Sequence, residues 1–93
     1  MTRPEILDKA KECVCGQREQ DYGSPENNFE TIAKLWNDYI GFVAEDDMLT
    51  AKDVAMMMAL LKIARIRTGT ATADSFVDLA GYAACGGEIA GGE

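Results

Sequence analysis

The sequence has no histidine, only one tryptophan, and no apolar run long enough to cross a membrane. Its longest unbroken apolar stretch, residues 54–61, falls well short of the ~20 residues that a membrane-spanning helix needs. The amino terminus also lacks the basic and then apolar segments of a secretory signal. We therefore expect a cytoplasmic protein.

Basic charge is scarce. Nine Lys and Arg residues stand against sixteen Asp and Glu residues, which gives a net charge of -7. An acidic surface repels the phosphate backbone of DNA and RNA, and no basic stripe offsets this repulsion. We therefore expect no polynucleotide partner, although a local cationic pocket could still bind a small anion.

Cysteine is limited to Cys13, Cys15 and Cys85. An odd number favours reduced thiols in a cytosol over a disulfide framework. Zinc is disfavoured because histidine is absent and residues two apart on a helix point in different directions. We interpret these cysteines as structural or incidental.

Alternating runs of β-branched residues, the pattern of β-strands, are missing, and helical periodicities take their place. We expect one all-α domain, a four-helix bundle. It comprises a first helix within 1–20, three motif-bearing helices within 24–86, and a flexible tail at 87–93. The glycine pair at 86–87 is expected to end the last helix.

The central helix is predicted over 53–67, where apolar residues leave almost no polar face. A helix that is apolar all round must be buried on every side. One chain of 93 residues can scarcely surround it, so we expect homo-oligomers, either dimers or tetramers.

Two cations interrupt this apolar helix. Lys62 and Arg65 are three residues apart and share a face. Buried cations need carboxylate partners or an anionic ligand. Lys62 and Arg65 could form salt bridges with Asp74 and Asp78 across a helix interface, or they could bind the phosphates of a ligand. We give the two interpretations equal weight.

Two carboxylate pairs, Glu26 with Glu30 and Asp74 with Asp78, have the four-residue spacing that puts both acids on one helix face. Such pairs from two helices could hold Mg²⁺, which takes oxygen ligands and substrate phosphates. Glu26 also suits the first turn of a helix, and Asp74 also suits a helix cap.

Other polar residues have two interpretations. Asp53 fits the third position of a capping box that begins at Thr50, and this is favoured over metal binding. Tyr22 and Asn27 could contact a base by stacking and hydrogen bonding. Tyrosines in turns and asparagines early in helices are, however, common without ligands.

Several short motifs follow one another between residues 18 and 84: Asp21-Tyr22-Gly23, Glu26-Asn27, Lys62 with Arg65, and Asp74-Ser75 with Asp78. The pattern resembles a family of small uncharacterised phage proteins. It also resembles the nucleotide-modification-associated domains that share the DYG, KxxR and DSxxD elements. The resemblance implies a nucleotide ligand and a location in the cytoplasm of a bacterial host.

A more distant resemblance is to the MazG-like all-α nucleoside triphosphate pyrophosphohydrolases, which bind Mg²⁺ through ExxE and ExxD motifs. The segment 75–82 looks like their ExxD helix, which implies Asp78 as a metal ligand and Tyr82 as a base contact. Ser75 stands where those enzymes have Glu, and Glu26 and Glu30 are four residues apart rather than three.

Three functions follow as hypotheses. The first is a phage nucleotide-binding protein that, in its enzymatic version, releases pyrophosphate with Mg²⁺. The second is a non-catalytic protein that sequesters a host nucleotide signal and so counters defence. The third is a structural interaction module whose charges form only interhelical salt bridges.

Overall fold

The computed structural model describes residues 1–16, 24–69 and 73–92. Within these ranges the chain forms four α-helices and no strand: α1 (Arg3–Cys15), α2 (Pro25–Gly41), α3 (Ala51–Thr68) and α4 (Ala73–Gly91). The all-α prediction is confirmed. None of the described helices is long and apolar enough to span a membrane.

Side-chain caps fix where the helices start. The Ser24 hydroxyl accepts a hydrogen bond from the backbone N–H of Asn27, and Pro25 opens α2. At the start of α3, Thr50 and Asp53 form a reciprocal capping box, as predicted. Each cap accepts a hydrogen bond from a backbone N–H that the first helical turn leaves unpaired. The cap and this N–H are close in the chain, so the signal can be read from the local sequence.

Helices α2 and α4 both pack antiparallel to α3. The Trp36 indole N–H donates to the backbone oxygen of Met57 at 2.7 Å, and the Tyr39 hydroxyl donates to Asp53 at 2.5 Å. On the other side, Lys62 pairs with Asp78 of α4. The start of α2 and the start of α4 therefore lie beside the last third of α3.

Helix α1 contacts no other described helix. Its apolar residues, among them Ile6, Leu7 and Val14, lie along one side of the helix, and these three remain 51%, 69% and 52% exposed. The prediction of a bundle of four helices within one chain is therefore wrong for the described residues. Three helices pack together and α1 stands apart.

The end of α4 differs from the prediction. Residues 87–91 are helical, so the expected flexible tail is wrong over that range. Gly86 is buried against α3, where an added Cβ would lie 2.7 Å from Met56 Cε and 3.3 Å from Ala55 Cβ. Packing against α3 therefore continues the helix through two glycines that propensity alone disfavours.

The core of the described chain is small. Its buried apolar residues are Ile32, Ala55, Ala59 and Ala64. Val54 and Ile63 of the central helix remain 53% and 42% exposed. One chain therefore leaves part of α3 uncovered, and homo-oligomer formation stays a prediction.

The Asp53 carboxylate joins α2 to the start of α3. It accepts hydrogen bonds from the Tyr39 hydroxyl and from the Thr50 backbone N–H and hydroxyl. The bond from Tyr39, followed by those from Thr50, lowers the pKa of the Asp53 carboxyl. The same bond to Asp53 is the main cause that raises the pKa of Tyr39 above 10.0.

We expect the bond between Tyr39 and Asp53 to stabilise the fold most between about pH 4 and pH 10. The pKa of Asp53 is lowered on folding, so its contribution is complete above the unfolded pKa and disappears as pH falls through the folded value. The pKa of Tyr39 is raised, so its contribution disappears as pH rises through the folded value. Thermal melts of the wild type and Tyr39→Phe should differ most at neutral pH and converge in acid. A constant difference in Tm would contradict this account.

Candidate functional site

The buried polar residues of the described chain are Asn28, Lys62 and Ser75, which as whole residues are 5%, 7% and 4% exposed. They come from the start of α2, the last third of α3 and the start of α4. The antiparallel packing places all three at the same end of the helices. We call Asn28, Lys62, Arg65, Ser75 and Asp78 the polar end.

Lys62 and Asp78 form an ion pair between α3 and α4, with 2.8 Å between Lys62 Nζ and Asp78 Oδ2. The Lys62 side chain is 9% exposed and the Asp78 side chain 49% exposed. The pair therefore lies at the edge of the polar end, with the ammonium inside and the carboxylate open to water. An interhelical partner for Lys62 was one of the two interpretations of its sequence position, and the structure confirms that contact.

Arg65 follows Lys62 by one turn on the same side of α3 and is half-buried. Arg67, two residues further on, is exposed. The guanidinium of Arg65 can bind an oxyanion through two parallel hydrogen bonds, whereas Lys62 acts as a point charge. The starts of α2 and α4 add the partial positive charge of helix amino termini, whereas the carboxyl end of α3 and the acidic side chains in the first turns of α2 and α4 add negative charge. A small anion is therefore favoured at this end only where it contacts Lys62 or Arg65 directly.

Asn28 is the residue that the sequence analysis missed. Its Oδ1 is buried and accepts no hydrogen bond from the described residues. A buried acceptor without a donor costs about 1–3 kcal/mol. Its sequence position did hold a signal, because Asn28 lies four residues before the buried Ile32 and thus on the same face of α2.

The predicted magnesium ligands do not come together within one chain. Glu26, Glu30 and Asp74 are exposed, and the described residues contain no group of three or more acidic or cysteine side chains that could hold a metal ion. The physical reason is that α2 and α4 lie on different sides of α3, with no described Cα atom of one within 8 Å of a Cα atom of the other. Magnesium binding stays a prediction.

The predicted base contacts are dispersed. Tyr22 lies outside the described residues. Asn27 is exposed, and its backbone N–H is bonded to the Ser24 cap. Tyr82 is half-buried on α4, one turn beyond Asp78. A base-binding role for these residues stays a prediction.

A family profile described as a domain of unknown function, DUF6378, matches residues 5–90. The chain belongs to the DUF6378 family. It is similar to the "Gene 55 protein" of Mycobacterium phage L5, with 49% identity over 78 residues that cover 84% of this chain and 47% of the phage protein. The "Gene 55 protein" of Mycobacterium phage D29 is 40% identical over 80 residues, which cover 86% of this chain and 50% of that protein. No solved structure matches the DUF6378 chain.

The DUF6378 chain therefore spans about half the length of these curated relatives. The predicted similarity to phage proteins is confirmed. The names of the relatives state no activity, and the matches include no nucleotide-modification or MazG-like domain. Those finer resemblances stay predictions.

Proposed function

We propose that this DUF6378 protein binds a nucleotide or a nucleotide-derived molecule at the polar end. The observation that supports this proposal is the placement of Asn28, Lys62 and Ser75, three buried polar residues, at one end of a chain with so few buried apolar residues. Buried polar groups are unfavourable unless they are paired or serve a ligand. Lys62 is paired with Asp78, whereas Asn28 Oδ1 has no donor among the described residues, so this oxygen is the atom that a ligand would serve. The KxxR and DSxxD elements of the sequence fall at this same end.

In this proposal Lys62 and Arg65 bind the phosphates of the ligand. The amide of Asn28 offers hydrogen-bond donors and an acceptor to the remaining part of the ligand. Asp78 holds the Lys62 ammonium in position at the edge of the site. Tyr82, one turn along α4, is the candidate to stack on a base. Binding of this kind needs no metal.

Binding without turnover is placed ahead of Mg²⁺-dependent hydrolysis because the acids in the described part of one chain do not form a metal-binding group. It would suit a protein that sequesters a host nucleotide signal. The interaction-module hypothesis has its own support, since Lys62 already has a carboxylate partner at 2.8 Å.

Calorimetry with linear nucleotides and cyclic dinucleotides, first without metal, tests the proposal. We expect metal-free binding that Arg65→Ala weakens at least about tenfold, because a bidentate charged contact is lost. Arg67→Ala is the matched control. It removes the same charge from an exposed position two residues away and should leave the affinity unchanged within about twofold.

The remaining outcomes separate the alternatives. Pyrophosphate release that needs Mg²⁺ and disappears in Asp78→Asn would replace simple binding with hydrolysis. If no nucleotide binds, and Lys62→Met combined with Asp78→Leu raises Tm, the polar end is a structural contact and the proposal is wrong.

A further inference from the structure

Helix α2 carries an uncovered apolar seam. Its residues are Phe29, Ala33, Trp36 and Ile40, which recur at spacings of four, three and four and so lie along one side of the helix. Phe29 is 62% exposed and Ile40 is 44% exposed. We call these four residues the α2 seam.

A groove of about 340 Å³ runs beside the α2 seam, lined by Phe29, Ile32, Ala33, Trp36 and Leu61. All five side chains are apolar. The indole of Trp36 is held in place by its hydrogen bond to the Met57 oxygen of α3. The groove therefore lies at the α2–α3 contact, and no charged residue lines it.

The exposed area indicates how much surface remains to be covered. A folded monomer of 10.1 kDa exposes about 5,300 Å², whereas this chain exposes 6819 Å². The excess is roughly 1,500 Å² per chain, compared with the ~800 Å² that each partner buries in a standard interface. Part of the excess belongs to α1, which contacts no other described helix, and part to the uncovered sides of α2 and α3.

We infer that two copies of this chain pair through the α2 seam, with their α2 helices antiparallel about a two-fold axis. The residues of the α2 seam are spaced by four, three and four positions, whether they are counted from Phe29 or from Ile40. Antiparallel pairing therefore sets Phe29 against Ile40 of the second copy and Ala33 against Trp36 of the second copy. The smallest residue of the seam then meets the largest, as close packing requires.

A parallel pairing would instead set Trp36 on Trp36 and Phe29 on Phe29. The two α2 and two α3 helices would form a closed, isologous four-helix arrangement. This inference does not rest on nucleotide binding.

Sedimentation equilibrium or light scattering on the full chain tests the pairing. We expect a dimer whose Kd rises at least about 100-fold in Phe29→Asp, because a charge is placed in a desolvated contact. Phe42→Asp is the matched control, since it makes the same replacement at the end of α2, where Phe42 is 88% exposed on the side away from the seam, and it should leave the dimer intact. Circular dichroism checks that each variant remains helical, as expected when the replaced side chain is exposed in the single chain.

A charge-pair experiment fixes the orientation. Phe29→Asp and Ile40→Lys should each be monomeric alone. Their mixture should form a heterodimer, because the introduced carboxylate faces the introduced ammonium across one half of the interface and the native Phe29–Ile40 pair fills the other half. Trp36 fluorescence should shift to the blue as the heterodimer forms. A monomeric wild type, a dimer unaffected by Phe29→Asp, or a mixture that stays monomeric would each overturn the inference.

Discussion

Replacing Gly86 with leucine is expected to lower the free energy of unfolding by about 3 kcal/mol, the upper part of the range for overpacked cores. Even the first added carbon would lie 2.7 Å from Met56 Cε and 3.3 Å from Ala55 Cβ. The end of the Met56 side chain can move, but Ala55 Cβ is fixed to the α3 backbone. Helix α4 must then separate from α3. Urea denaturation at a fixed protein concentration measures the loss.

Gly87 provides the control for this prediction. It lies in the same helix, one residue further on, with nothing within 4 Å of an added Cβ. Gly87→Leu should be neutral or stabilise by up to about 1 kcal/mol, because leucine has the higher helix propensity. If both leucine variants lose the same stability, close approach of α4 to α3 at Gly86 is not what holds the end of α4.

Removing Asp78 should destabilise the fold more than removing Lys62, even though Asp78 is the more exposed partner. Asp78→Ala leaves a buried ammonium without its carboxylate, which costs about 3–5 kcal/mol for fully buried pairs. Because Asp78 is 49% exposed, we expect a smaller loss of about 2 kcal/mol. Lys62→Met keeps the volume and leaves Asp78 in water, so its effect should stay within about 1 kcal/mol.

The double variant Lys62→Met with Asp78→Leu completes this test. It should be at least as stable as the wild type, because apolar side chains replace both charges. Asp74→Ala, at an exposed position in the first turn of α4, is the control and should change stability by no more than about 0.5 kcal/mol. A double variant as unstable as Asp78→Ala would show that the cost comes from lost packing rather than from an uncompensated charge.

The features that sequence reasoning predicted correctly depend on near neighbours in the chain. Ser24 and Thr50 cap helices whose starts need only residues three positions away. The error at the end of α4 has a non-local cause, since Gly86 meets residues of α3 that lie some thirty positions earlier. Propensity describes the glycine pair alone, whereas packing against Ala55 and Met56 decides its conformation.

The candidate site also has features that the sequence predicts and features that it does not. The contact between Lys62 and Asp78 could be predicted because a cation in an apolar helix requires an anion nearby. Asn28 was missed because asparagines near helix starts usually face water, and only the arrangement of α2 on α3 shows that this one is buried. We expected Glu26 and Glu30 to meet Asp74 and Asp78 because the acids of each pair are four residues apart. This spacing places two acids on one face of a helix, but it does not tell how far apart two helices lie.

The isolation of α1 has a consequence for how this family can vary. Because α1 touches no other described helix, a substitution on its surface leaves the contacts among α2, α3 and α4 unchanged. Its sequence can therefore diverge between relatives, or adapt to a new partner, without a compensating change elsewhere in the described chain. A residue of α1 that stays constant among relatives would have to be retained for a reason other than the packing of the other three helices.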